Sequence, residues 1–161
     1  MMLPVTVIAV GQLKERYFKD AADEYKKRLS GSCRITEIEI KEEKTPDNPS
    51  ESQIAAALKK EAERILDAVP KKACIIPMCI EGKHMSSEEL ASQIENAPLK
   101  GFSSVCFIIG SSHGLSDDVK RAATLKLSMS KMTFPHKLAR VMLYEQIYRA
   151  GEIISGSKYH K

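Results

Sequence analysis

SVCFIIGSSHGLS, residues 104–116, decides the fold. Ser104 to Ile109 is an apolar run of strand length, and Gly110 closes it. A strand apolar at nearly every position is buried on both faces, as happens in a parallel sheet covered by helices. Ser116 then caps a short helix, with Asp117 and Asp118 in its first turn, where the helix dipole favours negative charge. Strand, glycine turn and helix form one unit, and the flanking sequence repeats it.

Upstream, Val5 to Val10 is a second apolar run, ended by Gly11. Lys14 to Leu29 reads as a helix, with Tyr17, Phe18, Ala21, Ala22, Tyr25 and Leu29 near helical spacing and Gly31 as its stop. Arg34 to Ile40 alternates isoleucine with acids and reads as a half-exposed strand. Lys41 to Ser50, charged and containing Pro46 and Pro49, is a loop. Ser50 with Gln53 has the capping-box pattern and opens a helix to about Ala68. Ala73 to Ile80 reads as a buried strand whose ladder is broken, or ends early, at Pro77. A second capping box at Ser86–Glu89 starts a helix to about Asn96. Downstream, Leu125 to Ser128 reads as a short strand, and Pro135 opens a final helix to about Ile154. Five βα alternations predict one α/β domain over 1–161, a mostly parallel sheet flanked by helices. Ligands of such sheets bind beyond the carboxyl ends of the strands, here the loops after Cys79, Ile109 and Ser128.

A length of 161 residues suits one domain with a core that needs no staple. No apolar run approaches the roughly 20 residues of a membrane span. The N-terminal stretch lacks a basic region before its apolar run and reads as a strand, not a leader, so a cytoplasmic location is expected. Cys33, Cys74, Cys79 and Cys106 show no C-x-x-C spacing and read as small core hydrophobes; no metal site is expected. The net charge of +4 is unevenly spread: beyond residue 118 stand nine Lys/Arg against Glu145 and Glu152. That asymmetry suits an anionic partner, nucleic acid foremost, and equally suits a solvated helix face.

Several motifs fail. There is no G-x-G-x-x-G, no H-E-x-x-H and no G-x-S-x-G. Gly151 to Lys158 imitates a phosphate-binding loop, but Ser157 stands where the lysine belongs and a helix precedes it. Two segments stay open. Gly110-Ser-Ser-His-Gly114 permits close approach of backbone to a ligand, or is a plain turn. Ser128 to His136 mixes Met129, Met132 and Phe134 with small polar residues, a composition that can wrap a planar ring or connect two elements. The last helix carries Leu138, Val141, Met142, Ile147, Tyr148, Ile153 and Ile154, more than one narrow stripe, so one face can meet the sheet and another a second subunit.

Val7-Ile-Ala-Val-Gly11, Phe107-Ile-Ile-Gly110 with Gly114-Leu115, Ser128 to His136, Arg140-Val141, Glu145-Gln-Ile-Tyr-Arg-Ala150 and Tyr159-His-Lys161 occur in one order. Together they resemble the ribosomal large-subunit pseudouridine N3-methyltransferase H family (RlmH type), of the SPOUT class, over essentially the whole chain. The resemblance implies an α/β fold with a C-terminal trefoil knot, a homodimer with the knot region at its interface, and methyl transfer from S-adenosylmethionine (SAM) to N3 of a pseudouridine in 23S rRNA of the assembled ribosome. The rivals are a SPOUT enzyme acting on another RNA and a non-catalytic RNA-binding assembly factor.

Carried over by position, the resemblance places cofactor contacts at Met78, Gly110 and the loop Met129, Ser130, Lys131, Met132, Thr133 and Phe134. Met78 replaces the family's usual leucine, keeping volume and apolarity. Ser111 replaces a usual glycine and is expected to alter SAM affinity if the turn needs glycine angles. Arg149, Tyr159 and His160 are the implied catalytic groups. His160 suits a base by its ordinary pKa, and Arg149 suits stabilisation of negative charge on the target base.

Overall fold

The structure, a computed structural model, describes residues 2–161. Five strands, β1 (Val5–Val10), β2 (Ile35–Ile40), β3 (Ala73–His84), β4 (Ser104–Ile109) and β5 (Leu127–Ser128), form one sheet in the order β2-β1-β4-β3-β5, every pairing parallel. The helices are α1 (Arg16–Leu29), α2 (Glu51–Ala68), α3 (Ser87–Asn96), α4 (Asp117–Arg121) and α5 (His136–Ile154), with a 3-10 turn at Ala97–Lys100.

The apolar strands divide their side chains between two cores, as the two-residue period requires. Val5, Val7 and Ala9 of β1, with Val105, Phe107 and Ile109 of β4, pack against Leu29 of α1, Leu90 and Ile94 of α3, and Leu143, Tyr144 and Ile147 of α5. Ile8, Val10, Cys106 and Ile108 face the other way, onto Ala62 and Ile65 of α2 and Val119 of α4. All four cysteines are buried and free, and burial pushes the Cys106 thiol up to about 12. They fill the core. No helix of the described residues is long and apolar enough to cross a membrane.

The capping boxes at Ser50/Gln53 and Ser86/Glu89 form as read, each with both reciprocal hydrogen bonds. The strand expected to end at Ile80 continues to His84. Pro77 is its last residue in register with β4, opposite Ile108, since proline has no N–H for the ladder. Beyond it the strand turns to β5, and Leu127 registers with both Met78 and Lys83. Gly82 makes this possible: a Cβ there would lie 2.6 Å from the Leu127 carbonyl carbon. The short strand itself is limited to Leu127–Ser128.

Candidate active site

The middle of β3 and the carboxyl ends of β4 and β5 open into one cleft of about 650 Å³, lined by Met78, Cys79 and Ile80 and by the loops that follow Ile109 and Ser128; the loop expected after Cys79 is strand instead, because β3 continues to His84. Met78, Gly110, Met129, Ser130, Met132, Thr133 and Phe134 line it together. Lys131 does not. The Met132 N–H binds the Ser130 Oγ at 3.0 Å, a tight turn that leaves Lys131 exposed at its tip. Two large apolar side chains stand open at the cleft, Ile80 at 77% exposure and Met132 at 76%. Apolar surface left this bare at a concavity is where a ligand gains most by covering it.

Gly110 is fixed by crowding. A Cβ there would collide with the carbonyl oxygen of Gly114 and lie 2.9 Å from Leu115 Cγ. Ser111 and Gly114 close the turn as an antiparallel bridge, with the Gly114 N–H bonded to the Ser111 carbonyl at 2.9 Å. Ser111 does not occupy the left-handed region, so the strain expected of a serine at this position is not present. Instead its hydroxyl meets Oε1 of Glu61, 3.4 Å away on α2. Glu61 is buried, with Oε2 accepting the Glu43 N–H at 2.9 Å, and burial raises its pKa above the ordinary 4.5.

Arg149, Tyr159 and His160 are brought together, but none of them lines the cleft. Arg149 and Tyr159 gather around Glu145, which sequence reasoning passed over although it stands in the quoted motif, and His160 joins them through Arg149. The Glu145 carboxylate accepts from Arg149 Nη2 at 2.9 Å, from the Tyr159 hydroxyl at 3.0 Å and from the Gln146 amide at 3.1 Å. The Arg149–Glu145 spacing of four residues on α5 is the signal that could have revealed the pair. The Arg149 guanidinium lies 4.8 Å from the centre of the Tyr159 ring, a cation–π contact. Glu145 raises the pKa of Arg149 by its hydrogen bond; Tyr159 is raised first by desolvation and then by the same carboxylate.

His160 is held at both nitrogens. Nε2 lies 2.7 Å from Glu88 Oε1 and Nδ1 lies 3.1 Å from Arg149 Nη1. Arginine can only donate, so Nδ1 is the acceptor and the proton sits on Nε2, facing Glu88. The contact with His160 holds the Glu88 carboxyl below its usual range.

The basic C-terminal third is less free than its count suggests. Lys120 pairs with Glu81, Arg121 with Asp118, Lys137 with Glu15, Arg140 with Glu39 and Arg149 with Glu145. Arg140 is 1% exposed, donating to Glu39 at 2.7 Å and to the Gly11 carbonyl at 3.0 Å. Lys126, Lys131, Lys158 and Lys161 are exposed and make no ion pair among the described residues. No cluster of three or more metal-ligating side chains occurs among the described residues.

The model of a predicted SPOUT methyltransferase family matches residues 3–160. The chain belongs to the SPOUT methyltransferase family. Relatives of this SPOUT methyltransferase include two proteins named ribosomal RNA large subunit methyltransferase H. That of Clostridium novyi (strain NT) is 50% identical, and that of Clostridium botulinum (strain Eklund 17B / Type B) 48%, each over 98% of this chain and 99% of the relative. Among solved structures, a probable methylase family protein from Haemophilus influenzae Rd KW20 aligns over 98% of this chain and 70% of that one. Its TM-score of 0.49 and 11% identity are too low to add to the argument.

Proposed function

We propose that this SPOUT methyltransferase transfers the methyl group of SAM to N3 of a pseudouridine in 23S rRNA of the assembled ribosome. The observation that carries the reading is the meeting of two strand-end loops with the middle of β3 in one apolar cleft, in a chain half identical to a relative named as a ribosomal RNA large subunit methyltransferase.

The cleft suits SAM. Met78, Ile109, Leu127 and Phe134 offer apolar walls to a purine and a thioether-like chain, and the bare Met132 and Ile80 gain cover. Ser130 and Thr133 add hydroxyls for the ribose. Bound there, SAM supplies an activated methyl on a sulfonium, so the chain needs no covalent nucleophile. The protein's tasks are alignment and removal of the N3 proton. Positioning alone is worth roughly 7–11 kcal/mol in favourable systems. Arg149 carries a permanent charge able to stabilise the anion on the base's carbonyl oxygens. His160, its proton held on Nε2 by Glu88, has a basic Nδ1 that takes up the N3 proton once Arg149 turns from it to the substrate. Tyr159 anchors the tail through Glu145.

A homodimer with the knot region at its interface belongs to the same reading. The half-buried Val141, Met142, Tyr148, Ile153 and Ile154 of α5 are suited to that interface. The engagement of Leu127 by both Met78 and Lys83 supports a threaded crossing of β5 and the end of β3, the place for the trefoil knot. The exposed Lys126, Lys131, Lys158 and Lys161 supply phosphate contacts. Calorimetric titration with SAM, followed by methyl transfer to ribosomes lacking the modification, tests the reading. Saturable binding and incorporation of one methyl are expected. Ribosome binding with no SAM affinity would mark an assembly factor instead.

A further inference from the structure

A second cavity, of about 260 Å³, lies beside the cofactor cleft and shares Leu127, Ser128 and Met129 as a common wall. Its size is below the roughly 300 Å³ at which pockets for drug-sized ligands begin, so it suits one ring and not an extended molecule. Met85, Leu90, Met129 and Met142 give it flexible apolar faces, suited to sandwiching a planar heterocycle. Gln146 is a polar group in this lining that the proposed chemistry has not used.

The orientation of that amide is determined. Ser87 Oγ donates to its Oε1 at 2.6 Å, and its Nε2 donates to the Glu145 carboxylate at 3.1 Å. A carboxylate cannot donate, so the nitrogen must be the end facing Glu145. One N–H and one lone pair of Oε1 remain. Such a pair is complementary to an adjacent N–H and C=O on a base edge. Pseudouridine is joined to ribose through carbon, so its N1 keeps a hydrogen next to the C2 carbonyl. Uridine has the sugar at N1 and offers no donor there.

We propose that this cavity receives the target base and that Gln146 reads the N1–H and O2 of pseudouridine, making it the residue that selects pseudouridine over uridine. N3, on the other side of O2, is not engaged by Gln146 and is left free for methyl transfer. The proposal rests on the pseudouridine reading given above. Removing one matched hydrogen bond and stranding its buried partner costs about tenfold or more in rate.

The test compares wild type, Gln146→Met and Gln146→Glu on two ribosome preparations, one with pseudouridine at the methylated position and one with uridine there, made in a strain lacking the pseudouridine synthase. SAM affinity is measured by calorimetry on the same proteins. Wild type should prefer pseudouridine by tenfold or more. Gln146→Met should lose most of that preference by slowing on pseudouridine, with SAM affinity within twofold of wild type. Gln146→Glu keeps an acceptor for N1–H and should retain more preference than Gln146→Met. A wild-type pseudouridine-to-uridine ratio in Gln146→Met, or a wild type indifferent to the two bases, overturns the proposal. So does a tenfold loss of SAM affinity in Gln146→Met, which would place the cofactor's amino-acid arm in this cavity. Failure of wild type on both ribosomes would instead refute the methyl-transfer reading itself.

Discussion

Glu88, near the start of α3, accepts a 2.7 Å hydrogen bond from Nε2 of His160 in the C-terminal tail. The contact fixes the tautomer of the histidine and ties the tail to a helix 72 positions away. Glu88→Gln can still accept from the ring but carries no negative charge to hold the proton on Nε2 once Arg149 turns from Nδ1 to the substrate. Methyl transfer should fall several-fold while SAM affinity stays within twofold, read by single-turnover assay and calorimetry. His160→Ala and Arg149→Ala should reduce turnover more than ribosome binding; wild-type rates in both would remove the tail from the active site.

Gly110 and Gly114 separate crowding from backbone strain. At Gly110 an added methyl meets the Gly114 carbonyl, so Gly110→Ala should destabilise by roughly 1–3 kcal/mol and abolish detectable SAM binding. At Gly114, with φ of 85° and open space around the Cβ position, alanine should cost only about 1–2 kcal/mol and leave SAM binding measurable. Thermal unfolding and titration of both variants check the contrast.

Arg140 and Lys126 separate structural from solvent-facing charge. Arg140→Ala removes a buried guanidinium from the exposed Glu39 carboxylate and the half-buried Gly11 carbonyl, and should destabilise by about 1–3 kcal/mol. Lys126→Ala and Lys131→Ala should leave the unfolding temperature unchanged. Each should lower the slope of log affinity for ribosomes against log salt by roughly 0.7–0.9. Lys120 and Arg121, already paired with Glu81 and Asp118, should change that slope less.

This division explains what was legible in the sequence. The βα order, both capping boxes and the loops after Ile109 and Ser128 come from local patterns, and those patterns are realised; the loop read after Cys79 is part of β3. The cations beyond residue 118 could be counted but only partly sorted: Arg121 and Arg149 have carboxylates three and four positions away, whereas Glu39 lies 101 positions from Arg140 and Glu15 lies 122 from Lys137. The extension of β3 past Pro77 was hidden for a similar reason. Pro77 ends pairing with β4, but a different neighbour, β5, takes over beyond it. Within the candidate site, the loop residues were readable because they are contiguous. The Glu145 and Glu88 contacts to the tail depend on how α3, α5 and the last residues pack.

Glu61 gives a pH dependence. Burial raises its pKa above the ordinary 4.5, so the protonated carboxyl is the form that the fold favours. Its contribution to stability is complete below 4.5 and is lost as pH rises through the raised value. Glu61→Gln escapes that loss. The unfolding temperature of the variant relative to wild type should therefore rise from mildly acidic to mildly alkaline buffer; a flat difference would show that Glu61 ionises without cost.

The two-copy arrangement predicts a sedimenting mass of about twice the 17.9 kDa chain at micromolar concentration. Wild-type methyl transfer by a clean monomer would contradict it.

The central claim is methyl transfer to N3 of one pseudouridine. It is tested most directly by mass spectrometry of 23S rRNA from a strain lacking this gene and from the same strain carrying it on a plasmid. The account predicts a single pseudouridine without its N3 methyl in the first and with it in the second. An unchanged methylation pattern between the two, or a lost methyl on any other nucleoside, would contradict it.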